Sequence, residues 1–232
     1  MAVGGNQLFS ATKKRLGRLS LIFIHDWFKI YCYAIGFLYI IRHFNRSEEC
    51  GQQFVYRTNG TRFHPCHTQT LKRSGSGRKS VPVWAWFSSQ GAGAVHRIDG
   101  RLTAEKYISI LDDVLLPTAW AQFGLGPIRF VQFRSPIHTS HAVTAWFADH
   151  PEFELLPWPP RGADLNPIEN LWSEMVRDMN WQHVRNSNEL WSDVWDIWNN
   201  FAPKQSYWRT LANSMPSRLE MVTDLRGEWT KY

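Results

Sequence analysis

The chain has 232 residues, of which 44% are hydrophobic and 20% are charged, and its formal net charge is +6. This length and composition fit one sizeable folded domain, with or without an appendage, and exclude an intrinsically disordered chain. Three cysteines without a C-x-x-C spacing exclude a disulfide framework and a zinc knuckle, so a reducing compartment is expected. The basic surplus fits a polyanionic partner such as nucleic acid, although charge alone is a weak indication.

The first apolar segment, residues 19–41, permits three interpretations. Its length is that of a membrane-spanning helix, but His25, Asp26 and Lys29 would be costly inside a bilayer, so a membrane is not expected as a partner. The segment can instead supply a core strand and a helix. It can also be the unnatural N-terminus of a decayed or misannotated gene. No small-residue cleavage site follows it, which speaks against a secretory signal.

From residue 51 onwards the chain alternates strand patterns with turns and helices. Apolar runs bounded by turn residues predict strands in 51–63, 81–89, 94–98, 128–133 and 152–158. A polar basic loop is expected over 72–80, and Gly91 to Gly93 are expected to turn the chain between two of the strands. This order of predicted elements, with strands first, then alternating helices and strands, and helices last, is typical of a layered α/β domain.

Helices are predicted where apolar residues recur with helical spacing. The first is expected to begin after an N-cap at Thr103 and to end or kink at Pro117. Four more are expected: one that Thr139 can cap, one after Asn166, one over 188–201 and one over 204–225. The helix after Asn166 is the best defined, with Pro167 at its first position and Glu169 at its third. Its apolar face comprises Leu165, Ile168, Leu171, Trp172, Met175, Val176 and Met179.

Several ordered blocks resemble the Tc/mariner superfamily of DNA transposases. The family's segment around its third catalytic acid is similar to residues 156–172, LPWPPRGADLNPIENLW. The family's segment around its second catalytic acid is similar to residues 130–147, FVQFRSPIHTSHAVTAWF. Residues 81–117 resemble the region between the first and second acids. The resemblance implies an α/β, ribonuclease-H-like fold, with a mixed five-stranded sheet flanked by helices. It divides the chain into an unmatched segment 1–36, a catalytic-type domain 37–185 and a helical C-terminal extension 186–232.

In this family three acids hold two divalent cations, Mg²⁺ or Mn²⁺, which activate the attacking oxygen and stabilise the leaving oxygen of a phosphodiester. The third acid corresponds to Glu169, for which a capping bond back to Asn166 is the alternative role. The second acid's position holds Phe133, followed by Arg134 where the family has Asn. Aligning the family's first-acid strand on Phe44 puts Ile40 and Ile41 at its Asp-Glu positions, and the rival candidates Glu48 and Glu49 lie in a polar, turn-like stretch rather than on a core strand. Because neither Phe nor Ile offers a ligand and Arg134 is cationic, functional metal binding is not expected.

Other residues of the resembling blocks are expected to be structural. Asp99 belongs to a hairpin-like I-D-G triplet and is not expected to bind metal, and Gly162 stands where the family has Ser. The residues with expected structural roles are Asp164, Asn166, Pro167 and His138.

The family reads transposon ends with N-terminal helix-turn-helix modules, which residues 1–36 are too short and too apolar to supply. Non-specific, salt-dependent contact with DNA phosphates is expected instead, with a merely solvated surface as the alternative. The basic residues concerned are Lys72, Arg73, Arg78, Lys79, Arg97, Arg101 and Arg161.

These observations favour a nuclear, transposase-derived DNA-binding domain that cannot cleave DNA. Three alternatives stay open: an active metal-dependent endonuclease or strand transferase with unorthodox ligands, a domesticated interaction protein without a role on DNA, and a pseudogene product without function. The sequence also leaves the oligomeric state open, a homodimer included.

Overall fold

The computed structural model describes residues 37–45, 80–159, 162–182, 184–225 and 230, and for 37–45 it describes the backbone only. The strand expected within 51–63 and nearly all of the expected basic loop therefore lie outside the described residues. So does most of the first apolar segment.

Five strands form one mixed sheet. In chain order they are β1 (Phe37–Asn45), β2 (Ser80–Ser88), β3 (Gly91–Arg97), β4 (Ile128–Val131) and β5 (Phe153–Leu156). Their spatial order is β3-β2-β1-β4-β5. β1 and β2, and β2 and β3, pair antiparallel, whereas β1 and β4, and β4 and β5, pair parallel. The expected mixed five-stranded sheet is thereby confirmed.

The central strand, β1, contains the end of the first apolar segment. It pairs with β2 along eight residues, from Leu38 opposite Phe87 to Asn45 opposite Ser80. Residues 37–41 therefore belong to a core strand, and the alternative of a membrane helix that reaches residue 41 is wrong for them. No helix in the described part of the chain has the length and apolarity needed to span a bilayer.

The hairpin between β2 and β3 turns at Ser89 and Gln90, so the expectation that Gly91 to Gly93 form the turn is wrong. Gly93 lies inside β3, where a Cβ atom would overlap the ring of Trp86. The glycine at this position is needed for close approach of the indole, not for chain reversal.

Helices cover both faces of the sheet. They are α1 (Ala104–Ile110), α2 (Leu116–Phe123), α3 (His141–Asp149), α4 (Ile168–Asp178), α5 (Ser187–Phe201), α6 (Gln205–Asn213) and α7 (Met215–Asp224). The side chain of Thr103 accepts a hydrogen bond from the N–H of Lys106, which confirms the predicted N-cap of α1. Ser140, rather than the expected Thr139, caps α3.

Pro117 does not end the helical path that starts at α1. A π-helical turn, Leu111–Leu115, joins α1 to α2, and Pro117 lies in the first turn of α2. The wider turn accommodates the missing proline N–H, so the chain stays helical as far as Phe123. The single helical stretch expected over 204–225 is also divided into two helices. α6 ends at Asn213, and Pro216 lies in the first turn of α7.

The sheet separates two hydrophobic clusters. On one face Trp84 and Trp86 of β2 pack with α1, α2 and α3, and on the other Val83, Ala85 and Phe87 pack with α4 to α7. Many of the abundant tryptophans are core residues, as expected. The largest fully buried ones are Trp84, Trp86, Trp172 and Trp208. α4 lies against β1 and α5 against β2, so these helices share the core of the sheet.

Candidate functional site

The positions assigned to the first two acids lie on β1 and just beyond the end of its parallel neighbour, β4. These parallel strands pair Phe37 with Phe130 and Leu38 with Val131. Position 40, inside β1, and position 133, beyond the end of β4, each follow the second of these pairs by two residues. The parallel register therefore brings these two positions, which lie far apart in the sequence, to the same region of the sheet.

An aromatic pair lies at the position assigned to the second acid. Phe133 lies two residues beyond the end of β4 and is half-buried against the cluster on the α4–α7 face. Its ring meets the indole of Trp158 edge-on, with centroids 6.1 Å apart and an interplanar angle of 73°. Trp158 lies just after β5 and is only 3% exposed. Phe133 is therefore packed into the edge of the core.

A cleft opens beside this aromatic pair, between the ends of β4 and β5 and the first turns of α3. Its volume is about 490 Å³. Among the described residues that line it there is no Asp or Glu, and its one permanently charged side chain, Arg134, is exposed. The lining residues are Gln132, Phe133, Arg134, His138, Thr139, Thr144, Leu155, Leu156, Pro157 and Trp158.

His138 is held at the base of the cleft by hydrogen bonds. Its Nδ1–H donates to the carbonyl of Phe133 at 2.7 Å, and its ring lies 4.7 Å from that of Tyr107. Burial lowers the pKa of His138 to about 4, against the opposing effect of the bond to Phe133. The imidazole is therefore neutral at pH 7, which fits the structural role proposed for it.

The same network contains two further buried side chains. The hydroxyl of Tyr107 donates to Gln132 Oε1 at 2.7 Å, and Gln132 Nε2 donates to the carbonyl of His138 at 3.4 Å. Burial raises the pKa of Tyr107 well above its ordinary value, so the phenol stays protonated. Sequence reasoning missed this network because its members lie on α1, after β4 and before α3, and only the folded chain joins them.

Glu169 lies in the first turn of α4 and is half-buried. The helix begins at Ile168, one residue later than expected, and Pro167 precedes it rather than occupying its first position. Asn166 Oδ1 accepts the N–H of Ile168, the first residue of the helix, although the residue at the N-cap position is Pro167 and not the expected Asn166. In a capping box, the N–H of Asn166 would donate to the side chain of Glu169. Here this N–H donates instead to the carbonyl of Ala163.

Asp164 ties the segment before α4 to the C-terminal helices. Its Oδ2 accepts the N–H of Thr230 at 2.8 Å, and its carbonyl accepts Nη1 of Arg218 at 3.2 Å. Arg218 is only 2% exposed and also donates to Asn170 Oδ1 at 2.6 Å and to Ser214 Oγ at 2.9 Å. These contacts fit a structural role for Asp164. No sequence pattern pointed to Arg218, because an arginine in a predicted amphipathic helix is normally solvated.

Two of the seven basic residues expected to contact DNA are described, and they differ in availability. Arg101 is exposed after β3. Arg97 donates to Asn188 Oδ1 of α5 at 2.8 Å, and its Nε lies 3.4 Å from Asp99. Asp99 is thus the partner of an arginine rather than part of an acidic group. Outside the described residues lie Lys72, Arg73, Arg78, Lys79 and Arg161.

Gly162 replaces the family's serine at a crowded point. A Cβ atom there would lie 2.7 Å from Cγ of Pro159 and 2.8 Å from Nε1 of Trp158. The glycine therefore allows Trp158 to approach the backbone closely, and this indole is the one that packs against Phe133.

Comparison with known proteins identifies the family. Residues 44–191 match the DDE superfamily endonuclease family. The chain is 35% identical over 191 residues to the Tcb2 transposase of Caenorhabditis briggsae, an alignment that covers 82% of this chain and 67% of the relative. This chain belongs to the Tc1/mariner transposases of the DDE superfamily.

Solved structures of Mos1 transposase share the fold. The Mos1 paired-end complex with the left transposon end superposes with a TM-score of 0.72 at 17% identity, covering 99% of this chain and 67% of that one. The Mos1 catalytic domain solved with raltegravir and Mg²⁺ gives a TM-score of 0.67 at 13% identity, covering 100% of both chains. The ribonuclease-H-like, α/β assignment is confirmed.

The DDE family depends on divalent metal, but the side chains described in this member do not fit a pair of such cations. In the part of the chain that the structure describes, no group of three or more His, Cys, Asp or Glu side chains could hold a metal ion. At the position assigned to the second carboxylate, the ring of Phe133 packs edge-on against Trp158 and offers no oxygen ligand. Arg134 adds a positive charge beside it, which disfavours cations further.

Proposed function

We propose that this chain is a DNA-binding domain of transposase descent that does not cleave phosphodiester bonds. The observation that carries the proposal is the packing of Phe133 against Trp158 at the end of β4. A two-metal reaction needs several carboxylate oxygens converging on both cations, and a phenyl ring offers none. With an isoleucine at position 40, Glu169 is the one remaining acid of the three assigned positions.

Binding to DNA rests on charge and on descent. The chain carries a net charge of +6, and Arg101 is an exposed cation beyond the end of β3. A structural neighbour, Mos1 transposase, forms a complex with a transposon end. We expect contact with phosphates rather than bases, so binding is non-specific, and a nuclear location follows from a genomic DNA ligand.

The cleavage half of the proposal is tested with the full chain and linear duplex DNA in Mg²⁺ or Mn²⁺, with DNase I as the positive control. We expect no product above an EDTA blank. Metal-dependent cleavage by the wild type that disappears in Glu169→Gln would instead establish an active enzyme with unorthodox ligands.

The binding half is tested by fluorescence anisotropy with a labelled 20-base-pair duplex. We expect affinity to fall at least tenfold between about 50 and 200 mM salt, because each phosphate contact releases a counterion. Parallel salt elution from a cation exchanger and from DNA-cellulose is the control. Equal retention on the two supports at every salt concentration would favour an interaction protein without a role on DNA.

A further inference from the structure

The outer edge of the sheet at β3 is open in the described part of the chain. β3 is the last strand in the spatial order, so no described strand pairs with its outer side. Helices cover both faces of the sheet, yet only Gly91 and Val95 of β3 are buried, whereas the neighbouring strand β2 is almost entirely buried. Solvent therefore reaches β3 through its edge, where unpaired backbone groups form a template for another strand.

The backbone groups that face outward can be identified from the ladder between β2 and β3. The register shifts between Ala85 and Phe87, and the pairing is regular from Val95 to Arg97. The N–H of Ile98 donates to a carbonyl of β2. Because successive residues of an antiparallel ladder alternate in direction, the N–H and C=O groups of Val95 and Arg97 point to the open edge. This regular stretch is short, which suits a peptide better than a long strand of a second copy.

Two tryptophans of α5 flank this edge. Asn188, Trp191 and Trp195 are spaced i, i+3 and i+7 and so lie on one face of the helix. Asn188 Oδ1 accepts a hydrogen bond from Arg97, which turns this face toward β3. Beyond the other end of α5, Gln205 donates at 3.3 Å to a carbonyl of the turn before β3. α5 therefore runs back along β3, and the tryptophans lie beside the strand.

The tryptophan pair offers an apolar contact surface. Trp191 is half-buried and Trp195 is 45% exposed, and their ring centroids are 5.9 Å apart. Tryptophan is among the residues that contribute most to binding at protein interfaces. A strand added to β3 would place every second side chain on this side, so an apolar side chain fits there.

The opposite side of the edge is acidic. His96 is opposite Trp84 and so faces the other hydrophobic cluster. Burial lowers the pKa of His96, against the opposing charges of Asp99 and Asp113, so its imidazole is neutral at pH 7. Asp99 lies 3.4 Å from Arg97, whereas exposed Asp113 has no ion pair among the described residues. A basic side chain fits this side.

We propose that the open edge of β3 binds an extended peptide as an additional antiparallel strand. Apolar side chains of the peptide lie opposite Val95 and Arg97, on the side of Trp195, and the basic side chains between them point toward Asp113. Backbone hydrogen bonds supply the affinity in such strand addition, and the alternating side chains supply the specificity. Because the ligand is a protein segment, this inference goes beyond the proposed function and does not depend on it.

The probe is a fluorescein-labelled heptapeptide in which lysine and leucine alternate, with lysine at both ends. Its fluorescence anisotropy is measured with the full chain at about 150 mM salt, where long-range attraction between exposed charges is screened. We expect saturable binding. The same peptide with glutamate in place of lysine should bind at least about tenfold more weakly, although the net charge of the chain, +6, favours the acidic peptide elsewhere on the surface.

N-methylation of the peptide tests the backbone contacts without changing its charge. In the antiparallel arrangement the leucines opposite Val95 and Arg97 point their N–H groups at β3, and the lysines point theirs at solvent. N-methyl-leucine peptide should therefore lose at least about tenfold in affinity, because it loses more than one hydrogen bond. N-methyl-lysine peptide is the matched control and should bind like the unmodified one.

Substitutions in the protein then locate the site. Trp195→Ala should weaken peptide binding about tenfold. Trp120→Ala is the matched control, because Trp120 is 38% exposed on α2, which packs on the other face of the sheet. Asp113→Asn should also weaken binding, and Asp149→Asn at an exposed position of α3 should not. These four side chains are exposed or nearly so, and circular dichroism should show an unchanged Tm in each variant.

Three results would overturn the proposal: no saturable binding of the lysine–leucine peptide, equal affinity of the two N-methylated peptides, and equal loss in the variants of Trp195 and Trp120. Light scattering supplies a fourth. A wild-type dimer that dissociates in Trp195→Ala and persists with excess peptide would assign the edge to a second copy instead. The DNA assays are independent of these measurements, so failure here leaves the proposed function standing.

Discussion

Replacing Phe133 by aspartate tests whether the second acid's position has become part of the core. The substitution returns a carboxylate to the position where the family has one. If Phe133 now stabilises the fold, this return should be destabilising, because the ring is half-buried against the α4–α7 cluster and meets Trp158 edge-on at 6.1 Å.

The magnitude follows from the contacts that are lost. Full burial of a phenylalanine side chain contributes about 1.5–3 kcal/mol, so a half-buried ring contributes about 1–1.5 kcal/mol. Loss of the edge-on pair adds about 0.5–1.5 kcal/mol. Partial desolvation of the new carboxylate costs about 1 kcal/mol, part of which the exposed Arg134 offsets. The free energy of unfolding should therefore fall by about 2–3 kcal/mol, which lowers the Tm by roughly 5–10 °C for a chain of this length.

The assay is thermal and urea unfolding followed by circular dichroism. Phe133→Leu, Phe133→Asn and Phe133→Asp should be progressively less stable, because they remove first the aromatic contact, then the apolar surface, and then add charge. Leu125→Asp is the control for a new carboxylate at an exposed site, since Leu125 is 81% exposed, and it should change stability by less than about 0.5 kcal/mol. A Tm of Phe133→Asp within about 1 °C of the wild type would refute the packing argument.

Three further predictions concern protonation, a buried arginine and metal. Because burial lowers the pKa of His138 to about 4, the unfolded chain binds a proton more readily between that value and the ordinary 6.5. The free energy of unfolding, measured with urea, should therefore be highest above pH 6.5 and fall by up to about 3 kcal/mol as the pH drops to 4. This fall should be smaller in His138→Gln, whereas the exposed control His141→Gln should show the same fall as the wild type. Arg218→Met should lower stability by about 2–3 kcal/mol in the same assay, because Asn170 and a backbone carbonyl lose a buried charged donor, whereas Met at exposed Arg209 should have little effect. Millimolar Mg²⁺ or Mn²⁺ should leave the Tm of the wild type within about 1 °C of its value in NaCl of equal ionic strength, and a larger, saturable rise would reveal a metal site.

Much of the fold was predictable because local signals agreed with tertiary packing. Apolar runs predicted β2 to β5, and helical spacing predicted α1, α3, α4 and α5 to within a few residues. The errors have tertiary causes. Gly91 to Gly93 resemble a turn, yet Gly93 serves the ring of Trp86 inside a strand. Pro117 resembles a helix end, yet a π-helical turn next to it lets the helix continue.

The site was less accessible from the sequence alone. The assignments of Ile40, Phe133 and Glu169 came from resemblance, since no periodicity distinguishes an isoleucine or a phenylalanine in a strand as a lost ligand. Hydrogen bonds between distant segments, such as that from Tyr107 to Gln132 or from Arg218 to the carbonyl of Asp164, carry no local pattern. Only the packed chain reveals them.

The parallel register of β1 and β4 gives a physical reason why both assigned acid positions could change together. Positions 40 and 133 each follow the pair of Leu38 and Val131 by two residues, and two cations held between them would depend on both carboxylates at once. If either carboxylate is lost, the other becomes an acid at the edge of a hydrophobic cluster without the cations that balanced its charge, and an apolar replacement is then stabilising. The packing of Phe133 against Trp158 at the position assigned to the second acid fits such a replacement.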